Sequence, residues 1–467
     1  METCSSPHPP VPLPRPPPRQ SHPHLDQICL PRRCAGIPAH ASALRAGACH
    51  PRLWNELARA YAAEGSSRLA LLVCLQMPAR DKYTFPLAFR MCSLLSAFRE
   101  GACLHAQLHK LGLACDVYSV NALLSMYFDG GQEDCARRLF DGMRKRTVAS
   151  WTSHVIGLER QSLAHEAMGV FRNMLDAGVR ADEAAIVGAL SACTQCSCLE
   201  FGTSVHAHSI VMGLGLDLVA LATALVDMYA KSGAIDVSRA VFERMSNRNV
   251  FSWSAMIGGL AMHGLGPEAL SLFNEMTEVG LKPTPVTMTN VFTACSHAGL
   301  VEEGWKYFAL MKEAFGMEPR IEHLGCIVDL LGRAGLLAQA LDFVERMPVE
   351  PSGAIWRSLL GAASTHGDLR VGELAVKKLA SVEDPVAGDY VMLANLYAKF
   401  SCWEDVGRVR TKMNDSKTRK VAGYSSLEVD GVVHKFVMGD RSHPQSDSIY
   451  EMLGAVNEVL VLEDSTA

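Results

Sequence analysis

The sequence predicts an all-α solenoid, a stack of helix hairpins, because it repeats itself along most of its length. Four of the six Trp residues lie 97, 102 and 103 positions apart, at Trp54, Trp151, Trp253 and Trp356. A shorter motif, an apolar pair followed by Met three positions later, recurs at 139–143, 170–174, 241–245, 272–276 and 343–347. Repeats at this spacing are typical of stacked supersecondary units.

Residues 250–284 show why each unit is a helix hairpin. Apolar side chains at spacings i, i+3, i+4 and i+7 predict one face of a first helix, formed by Trp253, Met256, Ile257 and Leu260. Pro267 suits the first turn of a second helix, and Gly280 suits its C-terminal cap. Such short helices are marginal alone. We therefore expect neighbouring hairpins to stack and to build a long concave surface.

The first 50 residues differ from the rest in composition. Pro dominates residues 7–18, and six Arg between positions 15 and 52 accompany only two acids, Glu2 and Asp26. An Arg-rich, acid-poor start predicts an organelle transit peptide, and the small number of Ser favours a mitochondrion over a chloroplast. A Pro-rich disordered tail is the alternative interpretation.

Composition excludes several other classes of protein. No apolar run reaches about 18 residues, so we expect no membrane-spanning helix and no membrane partner. The 15 Cys are scattered through helical patterns, which is typical of a reducing compartment rather than of a disulfide framework. The net charge of −5 gives no overall indication of nucleic-acid binding.

Several stretches carry a resemblance to a known family. The longest are 294–304 (Ala-Cys-Ser-His-Ala-Gly-Leu-Val-Glu-Glu-Gly) and 328–335 (Val-Asp-Leu-Leu-Gly-Arg-Ala-Gly), and shorter ones are 355–362, 395–398 and 439–444. In these motifs, and in alternating long and short units, the chain resembles plant pentatricopeptide repeat (PPR) proteins of the PLS subclass. It is similar to members that carry E and E+ C-terminal motifs and lack the DYW deaminase domain. The resemblance implies a right-handed superhelix.

The resemblance also implies a domain organisation. Residues 1–50 hold the transit peptide or disordered start, with a decayed half repeat. About nine repeat units follow in 51–352, in the order P, L, S. Two degenerate E motifs occupy 353–420, the E+ segment occupies 421–450, and 451–467 form a C-terminal tail.

In this family the fifth and the last residue of a unit together select one RNA base, so the resemblance implies single-stranded RNA recognition. Carried over, the pairs are Asn55 with Asp81 for U, Asn121 with Thr147 for a pyrimidine, Thr152 with Asp182 for G, Thr223 with Asn249 for A, and Ser254 with Thr284 for a purine. Thr284 departs from the usual Asp or Asn. The alternative for all ten residues is helix capping, because short polar side chains satisfy the N–H groups at a helix start.

The chain offers no catalytic constellation. A DYW deaminase needs His-x-Glu, which occurs nowhere in this sequence, and paired Cys ligands for zinc. One Cys-x-x-Cys, Cys193 to Cys196, has no matching pair, and we interpret it as structural. We therefore expect no catalytic residue, no metal, no cofactor and no small-molecule substrate.

The resemblance implies a site-recognition factor for C-to-U RNA editing. Its expected partners are single-stranded organellar RNA and a DYW-type deaminase, recruited in trans through residues 353–450. The alternatives are an RNA stability, cleavage or splicing factor and a tetratricopeptide-like protein-binding scaffold. A basic cluster near the C-terminus is either an RNA contact or a solvated helix face: Arg408, Arg410, Lys412, Lys417, Arg419 and Lys420.

Overall fold

The computed structural model describes residues 51–415, 423–429 and 432–464. The predicted transit peptide and half repeat in 1–50 lie outside the described residues, as do 416–422, 430–431 and 465–467. The chain divides into two compact units, with the boundary between Lys110 and Leu111.

Helix hairpins account for most of the described residues. Their first helices are α1 (Pro51–Ala63), α3 (Thr84–Leu94), α5 (Val117–Asp129), α7 (Val148–Arg160), α9 (Glu183–Cys196), α11 (Val219–Lys231), α13 (Val250–Met262), α15 (Pro285–Ala298), α17 (Ile321–Arg333), α19 (Gly353–His366) and α21 (Ala387–Lys399). Their second helices are α2 (Ser67–Gln76), α4 (Phe98–Lys110), α6 (Glu133–Asp141), α8 (Ala164–Asp176), α10 (Leu199–Val211), α12 (Ile235–Arg244), α14 (Gly266–Glu278), α16 (Val301–Glu313), α18 (Leu337–Glu345), α20 (Leu369–Val382) and α22 (Trp403–Asp415). The predicted all-α solenoid class is confirmed.

A short β-hairpin follows the last helix pair and was not expected from the sequence. Strands β1 (Tyr424–Val429) and β2 (Val432–Val437) pair antiparallel, with Tyr424 opposite Val437. Helix α23 (Ser446–Asp464) comes after it. None of the helices in the described ranges is long and apolar enough to cross a membrane.

The two rows of helices pack differently. Within each of the two compact units, a first helix contacts its own second helix and also the first helix of the next hairpin. Across the described residues, consecutive second helices make no comparable contact with each other. Because the first helices stack more closely, they form the inner row of each unit, and the second helices form the outer row.

The buried residues agree with the sequence pattern. All four repeating Trp side chains are buried, and so is the predicted face of residues 253–260. Pro267 lies in the first turn of α14, and Gly280 has a left-handed φ of 81° just after that helix. Burial of these apolar side chains supplies the main stabilisation of hairpins that are too short to persist alone.

Candidate nucleic-acid interface

The predicted fifth residues share one position on the first helices. Each is also the fifth residue of its helix: Asn55 in α1, Asn121 in α5, Thr152 in α7, Thr223 in α11 and Ser254 in α13. Asn55, Thr152 and Ser254 are buried, whereas Asn121 and Thr223 are half-buried. Since a capping residue precedes the first helical residue, none of these side chains is an N-cap.

The predicted last residues, in contrast, all bond to the start of the next first helix. Asp182 accepts the Ala185 N–H at 2.8 Å, and Asp81 accepts the Thr84 N–H at 3.0 Å. Three others bond in the same way, namely Thr147 to Ser150 N–H, Asn249 to Ser252 N–H and Thr284 to Thr287 N–H. The capping alternative therefore describes the last residues and does not describe the fifth ones.

Two of the predicted pairs are joined by a direct hydrogen bond. The Asn55 amide donates to Asp81 Oδ1 at 3.0 Å, and the Thr152 hydroxyl donates to Asp182 Oδ1 at 3.0 Å. Partial burial alone raises the pKa of Asp81, but hydrogen bonds from Asn55 and Thr84 outweigh it and hold this pKa below its usual range. The capping bond and the pair bond both use Oδ1, so Oδ2 can accept a hydrogen bond from a ligand.

A third predicted pair is joined through an intermediate residue. The hydroxyl oxygens of Ser254 and Thr287 lie 2.6 Å apart, and those of Thr287 and Thr284 lie 2.9 Å apart. Thr287 is fully buried and Ser254 is buried, whereas Thr284 at the end of this chain of hydroxyls is half-buried. The structure therefore places Ser254 and Thr284 in one network without direct contact.

The remaining two predicted pairs are not joined. Asn121 Oδ1 and Thr223 Oγ1 are buried, and neither has a hydrogen-bond partner among the described residues. The same holds for Asn55 Oδ1, although its amide nitrogen is bonded. A buried polar atom without a partner costs about 1–3 kcal/mol.

A groove of about 620 Å³ runs along the inner row of the compact unit that begins at Leu111. Its lining residues belong to α9, α11, α13 and α15 or to the residue that caps α13, and all four are first helices. Thr223, Asn249 and Ser254 are among them, together with Lys231 as a cation. The predicted residues of neighbouring repeats therefore share one open surface on the inner row.

Sequence reasoning missed a set of exposed apolar side chains beside these residues. Tyr118 is 79% exposed and Phe251 is 70% exposed, and each lies three positions before a fifth residue. Both are the second residue of a first helix, and Phe251 also lines the groove. Exposed aromatic faces provide stacking surfaces for nucleobases. These residues could have been found in the sequence, because each is an aromatic residue at the second position of a predicted helix, where polar residues are more usual.

The basic cluster and the Cys-x-x-Cys motif add less to the description of this interface. Arg410 and Lys412 of the basic cluster are exposed and Arg408 pairs with Asp405, whereas Lys417, Arg419 and Lys420 lie outside the described residues. Cys193 is buried, with its sulfur 3.8 Å from that of Met168. The described residues contain no group of three or more side chains that could hold a metal ion.

Comparison with family models supports the assignment of repeats. The PPR repeat family model matches 248–297, the pentatricopeptide repeat domain model matches 104–149, and the PPR repeat model matches 221–250 and 286–314. The E motif model matches 366–428 and the E+ motif model matches 433–456. The resemblance inferred from the sequence is therefore confirmed.

Curated relatives from Arabidopsis thaliana cover most of the chain. Pentatricopeptide repeat-containing protein At1g31920 is 37% identical, over 86% of this chain and 67% of its own length. The protein At2g03880, mitochondrial, is 36% identical, over 87% and 64%. The protein At1g59720, chloroplastic/mitochondrial, is 36% identical, over 87% and 67%. The chain thus spans about two thirds of their length. The names of the latter two place those proteins in the mitochondrion, or in the chloroplast and mitochondrion, which is consistent with the location expected from the sequence.

A solved structure shows the same fold. The pentatricopeptide repeat protein PPR10 from maize, in complex with an 18-nt psaJ RNA element, has a TM-score of 0.59 and 16% identity. The match covers 81% of this chain and 63% of that chain. At this identity the likeness concerns the fold.

Proposed function

This chain belongs to the pentatricopeptide repeat family, and we propose that it binds single-stranded RNA of an organelle in a sequence-specific manner. We propose further that it marks sites of C-to-U editing, and that residues 353–450 recruit a deaminase in trans. The PPR10 complex with RNA, whose fold this chain shares, supports an RNA ligand.

The observation that carries the RNA proposal is the repeated pairing on the first helices. The family resemblance pairs the polar fifth residue of five first helices with the residue at the start of the following first helix. Two of these pairs are joined directly, and a third is joined through Thr287. Where the pair is joined, as in Thr152 with Asp182, the bond orients a hydroxyl and a carboxylate side by side. Because the only hydroxyl hydrogen of Thr152 goes to Asp182, the pair presents acceptors to a ligand and so favours a base edge that carries donors.

Exposed aromatic side chains near the pairs support the same proposal. Exposed Tyr118 and Phe251 lie near two of the pairs and supply stacking faces. The negative net charge means that phosphate contacts contribute less than is usual, so base contacts carry more of the affinity.

The editing part of the proposal depends on the C-terminal motifs. The E and E+ models match 366–428 and 433–456. The first helix α19 has Arg357 at its fifth position, and this residue is bonded to Asp389. Because that pair is closed on itself, we assign the region to partner binding rather than to base recognition.

The first test measures RNA binding directly. Fluorescence anisotropy compares a synthetic RNA containing U-x-x-G-x-A with a scrambled RNA of equal composition. We expect tighter binding of the first RNA. Equal binding of both would contradict base recognition and would favour the protein-binding scaffold.

The second test concerns the biological role. Organelle transcripts are sequenced in a loss-of-function line and compared with wild type. Loss of C-to-U conversion at one or a few sites is the expected result. Complete editing together with changed transcript ends or retained introns would favour the stability, cleavage or splicing role instead.

A further inference from the structure

Three of the short units end in Arg followed by the capping residue. These are Arg80 before Asp81, Arg146 before Thr147 and Arg248 before Asn249. Each of these Arg residues therefore adjoins one member of a predicted base-selecting pair. We refer to Arg80, Arg146 and Arg248 as the Arg clamps.

The Arg clamps bond to the end of the preceding second helix in the same way. Arg248 Nε donates to the Phe242 carbonyl at 3.0 Å, and its Nη2 donates to the Glu243 carbonyl at 2.8 Å. Arg146 bonds to Phe140 and Asp141 at 3.2 and 3.0 Å. Arg80 likewise donates to the carbonyls of Cys74 and Leu75. In every case the acceptors lie six and five positions before the Arg.

Two of the Arg clamps also lie over aromatic rings. The Arg248 guanidinium is 4.6 Å from the Phe242 ring centroid and 5.8 Å from that of Trp253. Arg146 is 4.8 Å from Phe140 and 5.8 Å from Trp151. Because each Trp belongs to the next first helix, the guanidinium connects the end of one repeat to the start of the next.

These contacts replace a glycine cap that the longer repeats use. In the longer repeats a Gly with left-handed φ follows the second helix, such as Gly178 at 69° and Gly280 at 81°. No residue between α12 and α13, or between α6 and α7, has positive φ. The exposed C-terminal carbonyls of these short helices are satisfied by the Arg side chain instead.

The fourth short repeat provides a natural comparison. Residues 321–352 end in Pro351-Ser352, so no Arg precedes the last residue, and the fifth residue is Gly325. This repeat lacks both the Arg clamp and a side chain for base recognition. The Arg clamp and the polar pair thus occur together in the short repeats.

We propose that the Arg clamps are positioning residues for base selection, an inference that rests on the proposed RNA-binding function. The guanidinium fixes the backbone directly before the capping residue, and so fixes the capping side chain relative to the fifth residue of its repeat. Arg248 in this way sets the selectivity of Thr223 with Asn249 for its nucleotide. Arg146 does the same for Asn121 with Thr147.

The test uses Arg248→Lys in the full chain, because Lys keeps the charge but does not reach two carbonyls while stacking. Anisotropy measures binding to RNAs varied at the nucleotide opposite Thr223/Asn249, and separately at the one opposite Thr152/Asp182. We expect the preference for A over G at the first nucleotide to fall about fivefold. The preference for G at the second nucleotide should stay within about twofold of wild type.

Two further variants complete the design. Arg239→Ala removes a positive charge that pairs with Glu268 on the outer row, and it should leave both preferences unchanged. Arg146→Lys should weaken selection only at the nucleotide opposite Asn121/Thr147, so the proposal remains testable if one variant is poorly folded.

The outcomes separate the two proposals. If wild type discriminates and Arg248→Lys keeps its preference for A, or loses both preferences equally, the positioning role is refuted while RNA recognition stands. If wild type itself shows no base preference at either nucleotide, the proposed function fails and the positioning role fails with it.

Discussion

The first helices of the repeat array and helix α19 of residues 353–366 differ at the same helical position. In the array the fifth residue is small and neutral, and Thr223 Oγ1 has no partner among the described residues. In α19 the fifth residue is Arg357, whose Nε donates to Asp389 Oδ1 at 3.0 Å and to Oδ2 at 3.2 Å. Arg357 also pairs with Glu383 at 2.5 Å.

This contrast shows that the stacked scaffold is compatible with two opposite uses of one position. Asp389 is 1% exposed and, as the third residue of α21, also accepts the N–H of the preceding Val386 at 2.9 Å, whereas the array's last residues precede their helices and accept the N–H of the residue three positions later. Bonding to Asp389 and the negative charge of Asp389 and Glu383 hold the pKa of Arg357 above its usual value. The Thr152–Asp182 pair of the array keeps a second carboxylate oxygen for a ligand, whereas the charged pair Arg357–Asp389 uses both carboxylate oxygens itself.

The largest expected effect is on the stability of 353–415. Asp389→Ala leaves Arg357 with Glu383 alone and removes a bond at the helix start, so we expect a loss of about 3 kcal/mol. Hydrogen exchange of α21 peptides in the full chain measures it. Asp447→Ala is the control, since its carboxylate is exposed and 3.8 Å from Arg441. Unchanged exchange in α21 would show that the pair is not structural.

The second prediction concerns the spacing of first helices. A Cβ added at Gly157 in α7 would overlap the ring of Phe128, so Gly157→Ala should cost about 2 kcal/mol. The matched control is Gly361→Ala in α19, where a Cβ meets nothing within 4 Å. That change should stabilise the helix by about 0.5 kcal/mol. If the two substitutions changed the free energy of unfolding equally in urea denaturation, the two regions would not differ in how closely their first helices pack.

The third prediction uses pH. Burial, with a smaller effect from Arg137 and Arg146, lowers the pKa of His154 to about 4. The unfolded chain binds this proton near pH 6.5, so stability falls as pH drops from about 6.5 toward 4. We expect a loss of about 1.5 kcal/mol between pH 7 and pH 5.

The matched variant for the pH effect is His154→Phe. The His154 ring packs 4.3 Å from Phe140 and 5.5 Å from Phe128, measured between ring centroids, so another aromatic ring suits the site. Its urea denaturation curves should depend less on pH than those of wild type. An identical pH dependence would show that His154 does not titrate on unfolding as proposed.

The smallest expected effect is a change in base preference. Asp182→Asn keeps an acceptor for the Thr152 hydroxyl but replaces a carboxylate oxygen by a donor. We expect preference at one nucleotide to move from G toward A, by about 1 kcal/mol. Anisotropy with two RNAs that differ only at that nucleotide measures it, with Glu183→Gln as the control for charge. Retained preference for G would refute the assignment of Asp182.

The amino-acid pattern alone was enough to predict the fold class, because helical periodicity and repeated motifs are local properties of the chain. The family resemblance, inferred from the sequence motifs, predicted the helix position that carries Asn121, Thr152 and Thr223, and all three share one phase of the repeat. The β-hairpin 424–437 was missed even though Asp430-Gly431, a strong hairpin signal, separates its two apolar stretches.

The connections within the predicted pairs, in contrast, became visible only in three dimensions. Thr152 bonds directly to Asp182, Ser254 reaches Thr284 through Thr287, and Thr223 Oγ1 has no partner among the described residues. The capping role of the last residues and the bonds of Arg248 to the preceding helix also emerged there. The pair contacts depend on distances between helices that are about 30 residues apart in sequence, and packing rather than local pattern sets such distances.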